Sequence, residues 1–105
     1  MDNKKLLAEI KEKLHSEFKG IIEKVILYGS QVKGKATDDS DYDILIIVNE
    51  DYDWRLKNQI LDSLYDLDLK YDILIDAKII SLDELKTIKG VQPFILEAMQ
   101  QGIRA

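Results

Sequence analysis

Short apolar runs that stop at turn-forming residues constrain the fold of this chain more than any other feature. One run extends from Ile21 to Tyr28 and stops at Gly29, and another extends from Asp41 to Val48 and stops at Asn49. Short, apolar, partly β-branched runs of this kind predict buried strands. A third run, Tyr71 to Ile80, predicts a third strand.

Apolar residues at helical spacing flank and separate these strands. Between Lys4 and Phe18 they recur every three or four positions, which predicts an amphipathic helix that Gly20 ends. The same spacing from Trp54 to Leu67 predicts a helix of about four turns.

Two helices are predicted after the third strand. Leu82 to Ile88 follows Ser81, a suitable N-cap for a capping box, and a last helix opens at Pro93 and closes at Gly102. The resulting order, α-β-loop-β-α-β-α-α, predicts an α/β or α+β fold in which helices pack on one face of a three-stranded sheet. A length of 105 residues predicts a single domain over 1–105. The pattern leaves open which strands are parallel.

Composition excludes several classes of function. The formal net charge is −5 with 33% charged residues, and no basic face is clustered, so direct nucleic-acid binding is not expected. The chain has no cysteine, which excludes disulfides and thiolate zinc sites. No apolar run approaches the ~18 residues of a membrane span. The N-terminus does not resemble a signal peptide, so the expected location is the cytoplasm.

A pair of carboxylates marks the start of the second predicted strand. Asp41 and Asp43 are two positions apart, so both side chains project to the same face, roughly 6.6 Å apart along the strand. Like charges held this close repel each other unless a cation lies between them. Mg²⁺ is the expected cation because it prefers hard oxygen ligands and keeps positions open for phosphate oxygens.

A glycine-serine pair ends the first predicted strand. Gly29 allows a sharp turn and a close approach of the backbone to a ligand, and Ser30 supplies a hydroxyl and an N–H group. Gly34 would let the following loop pass near a phosphate. Together with Asp41 and Asp43, these residues predict one site that combines a phosphate cradle with a metal.

Gly29-Ser30, ten intervening residues and Asp41-x-Asp43 resemble the signature of the DNA polymerase beta-like nucleotidyltransferase superfamily. Within it the chain is similar to the minimal nucleotidyltransferase (MNT) domains, and the similarity continues to the closing Gly102-Ile103. The resemblance implies the nucleotidyltransferase fold, with a small mixed sheet. It also implies that Asp41 and Asp43 bind metal and that Gly29 and Ser30 bind the triphosphate.

The family has a third carboxylate on the next strand, and here Asp72 and Asp76 compete for that role. Asp76 fits the family register better, so the resemblance implies Asp76 as the third metal ligand and as the general base for the incoming hydroxyl. Many relatives carry arginine after the Gly-Ser pair. Lys33 can attract phosphate there as a point charge but cannot form the bidentate fork.

The resemblance implies a Mg²⁺-dependent enzyme, with one or two ions, that transfers AMP from ATP to a hydroxyl of a protein. The implied partner is a HEPN-type ribonuclease toxin, with this chain as the antitoxin. Two alternatives remain: transfer to a small molecule, as in the aminoglycoside nucleotidyltransferases, and a non-catalytic module that neutralises its partner by binding.

Several other residues have simpler interpretations. His15, the single histidine, is expected at the surface, and Lys78 is expected to be an ordinary surface lysine despite sharing a face with Asp76. Trp54 is expected in packing or in a partner interface. Asp38 and Asp39 are expected to keep the loop soluble, or to approach the metal.

Overall fold

The computed structural model describes residues 2–34 and 41–105, except for the side chain of Ile88. The described part contains five α-helices, one 3-10 helix and four strands. In chain order these are α1 (Asn3–Glu17), β1 (Ile22–Tyr28), α2 (Ser30–Lys33), β2 (Tyr42–Val48), α3 (Trp54–Tyr71), β3 (Ile75–Ser81), α4 (Leu82–Leu85), the 3-10 helix (Ile88–Val91), α5 (Pro93–Gln101) and β4 (Ile103–Arg104).

The strands form one mixed sheet in the order β3-β2-β1-β4. Strand β1 is antiparallel to both β2 and β4, whereas β2 and β3 are parallel. Parallel neighbours need a long crossover, and α3 provides it between β2 and β3. The α+β fold class with a small mixed sheet is therefore confirmed.

Both faces of the sheet are covered. On one face, Ile44 and Ile46 of β2 pack in the larger cluster, together with buried residues of α1 and α3. On the other face, Leu45 and Ile47 pack with Ile95 and with partly buried residues of α4 and α5. The expectation that helices occupy one face holds for α1 and α3, but the short C-terminal helices cover part of the second face.

The segment before β3 differs from the prediction. Helix α3 continues to Tyr71, and Asp72 ends it in the left-handed conformation with φ 51°. The side chain of Asp68 then accepts a hydrogen bond from the N–H of Ile75 at 3.0 Å, which fixes the turn into the strand. The predicted strand start at Tyr71 is wrong, because the helix keeps its hydrogen bonds for one more turn.

Two further corrections concern the C-terminal part. The sheet has a fourth strand, β4, which the sequence analysis did not predict because it is only two residues long. Helix α4 ends at Leu85, short of the predicted Ile88. The capping box is confirmed: Ser81 Oγ accepts from the N–H of Glu84 at 3.1 Å, and the N–H of Ser81 donates to Glu84 Oε1 at 3.2 Å. None of the helices in the described ranges has both the length and the hydropathy needed to cross a bilayer.

Candidate active site

Two of the predicted carboxylates occupy matching positions on neighbouring strands. In the parallel pairing of β2 with β3, Asp43 lies directly beside Asp76, and adjacent strands are ~4.8 Å apart. Asp41 lies two residues before Asp43 and immediately before β2. Asp72 is exposed at the end of α3 and lies outside the sheet. The register thus brings Asp76, and not Asp72, next to Asp43.

Gly29 contacts the carboxylate of Asp43. Its φ of 78° lies in a region that favours glycine. A Cβ built on Gly29 would overlap Asp43 Oδ2 and would lie 3.1 Å from Asp43 Cγ. The sequence analysis expected Gly29 to allow close approach of a ligand. In the structure the group that approaches it is an acidic side chain of the same site.

Helix α2 begins at Ser30, directly after the glycine that contacts Asp43. The carbonyl oxygen of Gly29 accepts hydrogen bonds from the N–H groups of Val32, at 3.1 Å, and Lys33, at 3.2 Å. Gly34 ends the helix in the left-handed conformation, and its N–H donates to the carbonyl oxygen of Ser30. These hydrogen bonds hold Ser30 in the first turn of α2, directly after the glycine that contacts Asp43. Asp38 and Asp39 lie outside the described residues.

Several negative charges lie close to Asp43. Burial raises the pKa of Asp43, and the charges of Asp76 and Asp41 raise it further, while Lys78 opposes the shift. Burial, followed by the charges of Asp43, Asp76 and Glu97, also raises the pKa of the Tyr28 phenol. Negative charge is therefore concentrated here in partly desolvated surroundings, and a bound cation would relieve it.

The chemistry of the donor set fits a hard cation. Asp41, Asp43 and Asp76 all offer carboxylate oxygens, which are suitable ligands for Mg²⁺. Within residues 2–34 and 41–105, however, no three acidic or histidine side chains are arranged to hold a metal ion. Asp76 Oδ1 instead accepts from Lys78 Nζ at 3.1 Å, so Asp76 would have to leave Lys78 to act as a ligand.

Two residues near the site were missed by the sequence analysis. Glu97 of α5 forms an ion pair with Lys33 of α2 and is close enough to Asp43 to raise its pKa. Tyr28 is buried at the end of β1 and pairs with Asp43 across the antiparallel ladder. Glu97 is the one charged residue of α5, and this isolation in an apolar helix is the signal that could have revealed it.

The other residues considered from sequence are distributed as follows. His15 is exposed on α1, which packs against the sheet face opposite to Asp43. Lys78 is exposed, as expected of a surface lysine, and forms an ion pair with Asp76. Trp54 is 67% exposed, so it takes no part in the core. Its ring instead lies under the guanidinium group of Arg55.

Comparison with known proteins identifies the family of this chain. Residues 7–100 match the family model described as a nucleotidyltransferase domain. The chain belongs to the nucleotidyltransferase domain family. It is similar to two proteins of Methanocaldococcus jannaschii that are provisionally named protein adenylyltransferases. One is 34% identical over 97% of this chain and 96% of the relative, and the other is 35% identical over 93% of each.

Solved structures share the fold of this nucleotidyltransferase domain. A crystal structure of an aspartate-to-glutamate variant of the MntA-HpeT toxin–antitoxin superposes with a TM-score of 0.59 at 16% identity, covering 92% of this chain and 69% of that one. A toxin–antitoxin structure with AMP-PNP superposes with a TM-score of 0.57 at 18% identity, covering 91% and 69%. At these identities the likeness establishes the fold.

Proposed function

We propose that this nucleotidyltransferase domain transfers AMP from ATP, in a Mg²⁺-dependent reaction, to a hydroxyl group of a protein partner. The partner is a HEPN-type toxin, and the chain acts as its antitoxin. The activity class agrees with the family and with the names of the two archaeal relatives. The nucleotide and the toxin are supported by the structural neighbours, which are toxin–antitoxin proteins, one of them with AMP-PNP.

One observation carries the proposal. The register of β2 and β3 places the carboxylates of Asp43 and Asp76 side by side, and Asp43 also packs against Gly29 at the start of α2. Burial and the neighbouring carboxylates raise the pKa of Asp43, so the fold tolerates a charge cluster that costs stability. A bound cation would neutralise these carboxylates, so a binding site for a cation and phosphates would explain why the cluster is present.

Each residue then has a role. Asp41, Asp43 and Asp76 would hold Mg²⁺, which when bound supplies positive charge that neutralises the triphosphate. Ser30 and Lys33 bind the phosphates, with Lys33 exchanging its partner Glu97 for a phosphate oxygen. Asp76 accepts the proton of the incoming hydroxyl. The hydroxyl oxygen bonds to the α-phosphorus, the bond from that phosphorus to the pyrophosphate oxygen breaks, and pyrophosphate leaves.

A second candidate follows from the contact between Lys78 and Asp76. If Lys78 keeps Asp76 permanently occupied, the chain is a non-catalytic module that neutralises its partner by binding. The two candidates predict different behaviour of an Asp41→Asn, Asp43→Asn double variant. Neutralisation of the toxin would survive unchanged in the module and would be lost in the enzyme.

The direct test is intact mass spectrometry of the candidate toxin after incubation with this chain, ATP and Mg²⁺. We expect the toxin to gain the mass of one or more AMP units, and Asp43→Asn to abolish the gain. Asp83→Asn is the matched control, because Asp83 lies on α4 beyond the opposite end of β3. An unmodified toxin, with ATP and Mg²⁺ present throughout, would exclude the enzymatic proposal.

A further inference from the structure

Helix α3 carries an apolar stripe on the side that faces away from the sheet. The stripe consists of Trp54, Leu61, Tyr65 and Leu69, which are spaced by seven, four and four positions and so share one helix face. Trp54 is 67% exposed, Tyr65 58% and Leu69 66%, while Leu61 is partly exposed. The core residues Ile60, Leu64 and Leu67 occupy the opposite side of the helix.

The alignment of these exposed apolar side chains on one helix face requires a physical explanation. Scattered apolar residues are normal on a protein surface, but this set is aligned along ~22 Å of one helix at 1.5 Å per residue, with Asn58 between Trp54 and Leu61. Three of the six large hydrophobic side chains that are exposed in the described part of the chain belong to it. A helix face with this composition is typical of an interface between helices.

Charged residues flank the stripe. Arg55 and Lys57 lie in the first turn of α3, whereas Asp66 lies in its second half. The ends of the helix agree with the macrodipole, because Asp53 is the N-cap and Lys70 is the basic residue of the last turn. The positions of Arg55 and Asp66 along α3 are complementary when two such helices run antiparallel.

We propose that the stripe is a homodimer interface in which α3 packs antiparallel against α3 of a second copy of this chain. A two-fold axis near Leu61 and Asp62 would place Trp54 of each copy against Leu69 of the other. Antiparallel packing turns each flank of the stripe toward the same flank of the second copy. Arg55 and Asp66 lie on the same flank, so each Arg55 faces Asp66 of the second copy, and the contact occurs twice.

The contacts within one chain are compatible with this pairing. Arg55 covers the Trp54 ring at 5.4 Å and so already lies along the stripe. Asp66 pairs with Lys13 at 3.4 Å, but its side chain remains 68% exposed and can accept a second cation. Lys70, the basic residue of the last turn, is turned away toward Glu9 and Tyr71 and would not oppose the partner helix.

The test is sedimentation equilibrium of the full chain over a range of micromolar concentrations. We expect a species of twice the 12.1 kDa mass of the chain. Trp54 is the single tryptophan, so its fluorescence should shift to the blue as the dimer forms. Leu69→Glu should weaken association at least ten-fold. Lys86→Glu, an exposed charge reversal beyond α4, should leave it unchanged.

A charge exchange tests the antiparallel register. Arg55→Asp should weaken the dimer, and adding Asp66→Arg should restore it, because the ion pair then reforms with its charges reversed. Circular dichroism would establish that every variant is folded. A chain that stays monomeric at all concentrations would overturn the proposal and leave the stripe to a different protein. A folded double variant that fails to recover would overturn the antiparallel register.

Discussion

At the scale of single residues, the close contact between Gly29 and the side chain of Asp43 shapes the candidate site. Gly29 has no side chain, so the Asp43 carboxylate can lie against its backbone. The same glycine has a positive φ and begins the turn into α2, which positions Ser30. Gly29 is therefore required at this position for two reasons, its positive φ and its contact with Asp43.

Gly29→Ala tests this contact. The new Cβ would overlap Asp43 Oδ2 and the positive φ would be strained, so we expect a loss of about 2–4 kcal/mol in the free energy of unfolding. Urea denaturation measures it. Gly20→Ala is the matched control, because Gly20 has a φ of 76° but nothing within 4 Å of a built Cβ. Equal losses for the two variants would contradict the proposed clash with Asp43.

Asp43→Asn should stabilise the protein while it removes activity. Because the folded state raises the pKa of Asp43, the ionised side chain costs stability at neutral pH. Removing that charge should raise the free energy of unfolding by about 0.5–1 kcal/mol, allowing for solvent screening of a partly exposed group. The gain should be measured by urea denaturation relative to Asp51→Asn, because Asp51 is an exposed carboxylate between β2 and α3.

The pH dependence of this gain follows from the sign of the shift. Above the folded pKa of Asp43 the full cost of ionisation is present. As pH falls toward the ordinary value of 3.8, the carboxyl group becomes protonated in the folded and then in the unfolded state, and the cost disappears. The difference in stability between Asp43→Asn and the parent should therefore shrink on acidification. A gain that grows at acid pH would contradict the assigned cause.

At the scale of secondary-structure elements, the ends of helices decide where the site residues lie. Asp72 ends α3 and Asp68 fixes the following turn, so β3 begins at Ile75 and Asp76 becomes its second residue. If the strand began at Tyr71, as its composition suggested, Asp72 would also lie in the sheet. The length of α3 therefore decides that Asp76, and not Asp72, lies in the sheet beside Asp43.

The other end of β3 offers an element-scale prediction. Ser81 is 2% exposed and forms both hydrogen bonds of the capping box that starts α4. Ser81→Ala should lower the free energy of unfolding by about 1–2 kcal/mol. Thr87→Ala removes the exposed cap of the 3-10 helix, where the Thr87 hydroxyl accepts from Lys89, and should cost about 0.5 kcal/mol. Thermal or urea unfolding of both variants checks the order.

At the scale of the whole molecule, the sheet brings together residues that are distant in the sequence. Tyr28, Asp43 and Asp76 come from three adjacent strands, and Glu97 reaches the same region from α5. Three of these four groups are acidic and repel one another, so a ligand that neutralises them should stabilise the entire fold. The proposed binding of ATP and Mg²⁺ should therefore raise the stability of the whole fold.

ATP with Mg²⁺ should therefore raise the melting temperature. At a ligand concentration of a hundred times Kd, stabilisation of ~2.7 kcal/mol corresponds to roughly 10 °C or more for a domain of this size. Differential scanning calorimetry measures the shift. ATP with EDTA and Mg²⁺ without ATP are the controls, and Asp43→Asn should abolish the effect. An unchanged melting temperature at saturating ATP and Mg²⁺ would count against the proposed site.

The sequence by itself determined the features that depend on local patterns. Periodicity predicted α1, the buried strands and the last helix, and the alternation of side chains along a strand put Asp41 and Asp43 on one face. The Gly-Ser and Asp-x-Asp spacing indicated the family, which the comparison confirmed. Each of these signals is contained within a few neighbouring residues, so no knowledge of the packing was needed.

Only the tertiary structure decided the features that depend on contacts between distant segments. These are the parallel pairing that sets Asp76 beside Asp43, the contact of Gly29 with the Asp43 carboxylate, and the pairing of Lys33 with Glu97. The covering of the second sheet face belongs with them. Strand register and helix docking are set by hydrogen bonds and burial over the whole sheet. These interactions join segments that are far apart in the sequence, so a local pattern of residues does not predict them.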